Sequence, residues 1–108
     1  MASTYKVLGQ LKSTGAAMQS LYTVPAATTA IGSTLTATTS GTTALIRVAV
    51  QTGGQAITDK QFILFDVPIN QYDSYFLTFP ITLASTDVLS VYSSTGTVIF
   101  NLFGCEIT

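Results

Sequence analysis

The chain has 108 residues, of which only 8% are charged: four Lys or Arg, five Asp or Glu and no His, for a formal net charge of -1. An average soluble domain carries about 25% charged residues; here 19 Thr and 10 Ser stand in their place. This length makes one domain that can bury a core without metals or disulfide staples, and without a basic cluster there is no electrostatic footprint for nucleic acid or an anionic membrane.

The mean hydropathy is positive, +0.49, yet hydroxyls and glycines interrupt every apolar stretch well short of the roughly 18 residues of a spanning helix. Lys6 and Lys12 enclose no apolar segment of the signal-peptide kind, so the chain is expected to fold in a cytosol. A lone Cys105 cannot form an internal disulfide and reads as a small hydrophobe in a strand. A reactive thiol would want a nearby His or helix terminus.

In chain order, Thr4 to Leu11 reads as a short strand whose Gly9 marks a bulge. Ser20 to Val24 is a second strand, stopped by Pro25, with Pro25 to Thr29 as a loop. Gly15 to Leu21 has some helical propensity but is too short to stand alone. Ile31 to Thr38 alternates, with Ile31, Ser33, Leu35 and Ala37 opposing Gly32, Thr34, Thr36 and Thr38, as expected of a half-buried strand with a threonine-rich outer face. Thr43 to Gln51 follows, Ile46, Val48 and Val50 sharing a face against Leu45, Arg47 and Ala49. Arg47, in mid-strand, either points outward with its stem over apolar surface or pairs with an acid such as Asp66.

Thr52 to Lys60 is a polar loop; its Gly53-Gly54 pair lacks the further glycines, the Lys-Ser or Lys-Thr and the helix of a phosphate loop. Gln61 to Val67 is apolar on both faces. After a loop from Pro68 to Asp73, Ser74 to Ile81 alternates, placing Tyr75, Leu77, Phe79 and Ile81 inward, with Pro80 tolerable only at an edge or strand end. Asp87 to Ile107 closes the chain as two apolar runs around Ser93-Ser94-Thr95-Gly96, a β-hairpin signal. Leu89 and Val91 oppose Val88, Ser90 and Tyr92 in the first run. In the second, Val98, Phe100 and Leu102 oppose Ile99, Phe103, Cys105 and Ile107, so this strand too is apolar on both faces. About eight short antiparallel strands at this spacing predict an all-β sandwich or barrel.

Chemistry finds little foothold. A nucleophilic triad lacks its His; zinc and calcium lack their ligand patterns, and no cofactor is expected. An acid pair drawn from Asp59, Asp66, Asp73, Asp87 and Glu106 is conceivable, but Asp73 and Asp87 read equally well as solvated turn acids. Tyr22, Tyr72, Tyr75 and Tyr92 could form a sugar-stacking platform, or be core and interface residues with wet hydroxyls. The two strands apolar on both faces are covered either by a second layer of the same monomer or by a partner; in the latter case Phe62, Leu64, Ile99, Phe103 and Ile107 are the candidate interface.

Several stretches, Tyr5 to Gln10, Leu21 to Pro25, Ile46 to Val50, Asp87 to Thr95 and Phe100 to Ile107, resemble small structural proteins of tailed bacteriophages, especially those infecting cyanobacteria. The resemblance covers nearly the whole chain and carries no site residues. It implies a short β-sandwich, often jelly-roll-like, present in many copies on the virion and assembled in the host cytoplasm. A decoration or cement protein on the outer head surface is the first expectation, with itself and the major capsid protein as partners. A neck, baseplate or tail-fibre module, and a glycan-binding sandwich, are the alternatives. The segment Met1 to Leu11 is either a sandwich strand or an arm reaching a neighbour.

Overall fold

A computed structural model describes residues 2–78 and 80–108, so the expected inward position of Phe79, and Met1 at the start of the expected arm, lie outside the described residues. Among the described residues nine strands form two antiparallel sheets: β1 (Ser3–Lys12), β2 (Gln19–Thr23), β3 (Thr29–Thr39), β4 (Ala44–Gln51), β5 (Phe62–Ile69), β6 (Ser74–Leu77), β7 (Ile81–Leu83), β8 (Val88–Ser93) and β9 (Val98–Ile107). Sheet A has the order β1-β9-β3-β6, with β7 also on β3, and sheet B the order β2-β8-β4-β5. If β6 and β7 are taken as one edge strand interrupted around Pro80, this is the eight-strand connectivity of a jelly roll. The N-terminal segment is a sandwich strand, and residues 15–21 form a bend leading into β2 rather than a helix. Two short 3-10 turns, Thr52–Gly54 and Asp59–Gln61, shape the polar loop.

The terminal hairpin is not formed. β8 pairs with β2 and β4, whereas β9 pairs with β1 and β3, so Ser94 to Thr97 carries the chain across the core from one sheet to the other. Each run has an apolar inner face, and facing each other across the core buries both of them, which pairing side by side would not. Val98, Phe100 and Leu102 from β9, and Leu89 and Val91 from β8, are all buried with Ile46, Val48 and Leu35 between the sheets.

The period-two reading of β3 holds only for its second half. Gly32 pairs with Gly104 and Thr34 with Phe103, leaving Ser33 as an extra residue. Through this bulge Ala30 and Gly32 point inward before it, Leu35 and Ala37 after it, while Ile31 and Ser33 face out. β1 bulges one residue pair away along β9: Val7 pairs with Phe103 and Gly9 with Leu102, leaving Leu8 extra. Gly9 then faces β2 so closely that an added Cβ would lie 2.3 Å from the Leu21 carbonyl oxygen.

The two ends of the sandwich are closed by polar groups that are fully partnered. At one end the Thr39 hydroxyl donates to the Thr42 carbonyl (2.7 Å) and meets the Thr97 hydroxyl (3.0 Å), which in turn meets Thr95 (2.8 Å). At the other, Asp87 is buried rather than solvated: its carboxylate accepts the Gly53 (2.8 Å) and Ala84 (2.9 Å) amides. Among the described residues no buried side-chain polar atom lacks a partner, which is how a hydroxyl-rich chain folds without a desolvation penalty. Gly9→Ala forces a methyl group into the Leu21 carbonyl, and is expected to lower the unfolding free energy in a urea titration by about 3 kcal/mol, the upper range for overpacking.

Candidate functional site

The two sheets differ in what their outer faces offer. On sheet B, β5 carries two bulges: Ile63 is extra between Phe62 and Leu64, and Phe65 with Asp66 stands against Arg47 alone. Asp66 takes a positive φ of 52° there. This geometry brings its carboxylate to the Arg47 guanidinium in two hydrogen bonds, Nε to Oδ1 at 2.6 Å and Nη2 to Oδ2 at 3.3 Å. The same guanidinium lies between the Phe65 ring (4.2 Å) and the Tyr92 ring (4.5 Å), and Phe62 meets Phe65 edge-on at 5.1 Å. Asp66 raises the Arg47 pKa further above its ordinary value, so this charge is permanent and internally matched. The two readings of Arg47 are both realised: it points outward and it is paired.

Sheet A presents an apolar outer face without charges at its centre. Tyr5 and Val7 of β1 stand beside Cys105 and Phe103 of β9, and Ile31 of β3 flanks Cys105 on the other side. Tyr5 is 84% exposed and Phe103 38%. A shallow cavity of about 180 Å³ opens between Tyr5, Ile31, Ser33, Gly104 and Cys105. A larger open cleft, about 450 Å³, lies between β4 and the polar loop, lined by Val50, Thr52, Gln55, Lys60, Gln61 and Ile63. Among the described residues its lining has one cationic side chain and no acid.

Of the five candidate interface residues, Ile99, Phe103 and Ile107 share the outer face of sheet A. Phe62 is half-buried on the outer side of sheet B beside Phe65, on a different surface. Leu64 packs against the core from the inner face of β5, so it forms no part of an outer face. The apparent two-faced strand at Gln61 to Val67 arises because each bulge shifts the alternation by one residue. Tyr5 and Val7 are legible as a period-two pair, but without the neighbour of β1 their face cannot be assigned from sequence. The four tyrosines do not form one platform: Tyr22 is buried, Tyr75 packs against the core, Tyr92 covers Arg47 and Tyr72 stands exposed in the turn before β6.

The acids are likewise separated. Glu106 ties the sheets together at the β1–β9 end: the Tyr22 hydroxyl of sheet B donates to its Oε2 at 2.5 Å, and Lys6 Nζ to its Oε1 at 3.1 Å. Those bonds, from Tyr22 first and Lys6 second, hold the Glu106 carboxyl below its usual range, while burial and the adjacent carboxylate push the Tyr22 phenol well above its own. Among the described residues no group of three or more His, Cys, Asp or Glu is placed to hold a metal ion.

Comparison with protein-family models and with curated proteins returns no match. The geometry itself sets two expected outcomes. Because the folded pKa of Glu106 is depressed, its contribution is complete above the unfolded carboxylate value near ~4.3 and is lost as pH falls through the lower folded value. Tyr22→Phe should therefore cost about 1.5 kcal/mol near neutral pH, the scale of a charge-assisted hydrogen bond, and the gap to wild type should narrow below pH ~4 in urea titrations. Phe103→Asp should leave a folded, soluble sandwich by circular dichroism, since the side chain reaches solvent, and should weaken any self-association read by sizing.

Proposed function

We propose that the protein is a structural component of a virion, a non-enzymatic assembly module, and that its first role is decoration of the outer head surface of a tailed phage. The observation that carries the reading is the outer face of sheet A: an uncharged apolar surface around Tyr5, Val7, Phe103 and Cys105. It lies on a chain with few charges, four of which are matched in the pairs Lys6–Glu106 and Arg47–Asp66. Such a face associates by burial of apolar area. Contacts of that kind depend little on ionic strength, because salt screens only charges. That suits a particle that meets changing salt outside its host. The phage resemblance of the sequence supports the same reading.

Copy number per purified particle, measured by quantitative mass spectrometry against the major capsid protein, tests it. Decoration predicts about one copy per one to few capsid subunits, following the symmetry of the shell. A few copies per hundred capsid subunits would overturn head decoration in favour of a neck, baseplate or fibre position, and absence from the particle would overturn the virion reading.

A further inference from the structure

The four edges of the two sheets are not equally protected. β2 has five residues with a bulge at Leu21 and runs into Pro25. β5 is broken by bulges at Ile63 and Asp66 and carries Pro68. The far edge of sheet A is divided between β6 and β7, of four and three residues. These are the devices by which sheets discourage edge pairing. β1 is different: Ser3 to Val7 is regular and extended, before the bulge at Leu8.

Which main-chain groups β1 leaves free follows from its register. Ala2 and Thr108 exchange both of their amide bonds, each 2.9 Å. In an antiparallel ladder bonded pairs alternate with non-bonded ones, so Thr4 and Lys6 also bond to β9. Ser3, Tyr5 and Val7 then turn their N–H and C=O groups to the open edge, and their side chains to the apolar outer face.

We propose that β1 pairs antiparallel with β1 of a second copy about a two-fold axis at Tyr5, joining the two A sheets into one. Tyr5 faces Tyr5 of the second copy, and Ser3 faces Val7. The three free residues of each copy then satisfy one another in about six inter-chain bonds. Centring on Val7 would run into the bulge. Charge does not oppose the pairing either: Lys6, held by its own Glu106, lies opposite the small Thr4 of the second copy. No like charges meet. The pairing makes the apolar outer face continuous across the axis, since Tyr5 and Val7 sit at the junction. It deepens the assembly reading above by naming its partner, and does not depend on the virion.

Sedimentation velocity on the purified full chain at tens of micromolar reads the outcome. The wild type should be a dimer, and Tyr5→Lys, which sets two ammonium groups opposite each other, should weaken it by about tenfold or more with an unchanged circular dichroism spectrum. Tyr72→Lys, at another exposed tyrosine in the turn before β6, should leave the dimer intact. Tyr5→Cys in a Cys105→Ser background should form an intermolecular disulfide on mild oxidation, because bonded antiparallel pairs place Cα atoms about 5.5 Å apart; Gln10→Cys in the same background should not. A monomeric wild type would overturn the pairing while leaving the copy number per particle as a separate test. A dimer that survives Tyr5→Lys, or one in which the Tyr5→Cys variant gives no cross-link, would also overturn it.

Discussion

Sheet A depends on the two-sided pairing of β9. Its backbone is matched to β3 from Val98 to Ile107 and to β1 from Ile99 to Ile107, and its inner side chains Val98, Phe100 and Leu102 have no solvent exposure. Each fully buried side chain of that size is worth about 1.5–3 kcal/mol. The neighbours of β9 bulge on either side of Phe103, β1 through Leu8 between Phe103 and Leu102 and β3 through Ser33 between Phe103 and Gly104. Because the two bulges flank the same residue of β9, the sheet bends around that point. The bend brings Gly9 onto the β2 backbone, and Glu106 stands within reach of Tyr22 at that end of the sandwich. An added Cβ on Gly104 would lie 2.1 Å from the Ile31 carbonyl oxygen, so only glycine fits the strand crossing at that point.

The all-β class, the strand count and most inner faces are legible in the sequence because they depend on alternation and turn residues within a few positions of each other. What is not legible depends on partners far along the chain. Ser93 to Gly96 carries the same turn chemistry whether it reverses a strand in its own sheet or carries it across to the other, so Val88 to Ile107 reads as a hairpin. Bulges are similarly silent: Ser33 and Ile63 are ordinary strand residues, and only register shows that they are extra. That is why alternation puts Ile31 inward and Leu64 in an outer interface, each against the structure. Of the candidate surface, Ile99, Phe103 and Ile107 emerge from alternation alone. Tyr5 and Val7 do not, because β1 acquires its faces from β9, more than ninety residues away.

Low charge shapes the rest of the molecule. With few ionic groups in the chain, polar closure at the sandwich ends falls to hydroxyls and single carboxylates, each held by neighbours: Thr39 with Thr97, Asp87 with two amides, Glu106 with Tyr22 and Lys6. Arg47 and Asp66 neutralise each other on sheet B. These charged groups are bound into the fold, and the outer face of sheet A is left apolar, without charges at its centre.

β9, an interior strand of sheet A, is also the last of the described strands in chain order, so it follows all of its partners off the ribosome. Until Ile107 has emerged, β1 and β3 have no common neighbour and their unpaired edges wait together with the apolar residues that β9 will cover. Sheet B can assemble earlier from β2, β4, β5 and β8, but its inner face stays open until the A layer closes over it. A vectorially made chain of this topology reaches its native state in one late step rather than strand by strand. Its folding is governed by distant contacts and is correspondingly slow, and the interval before closure is when neighbouring nascent chains are most open to mispairing through the same edge.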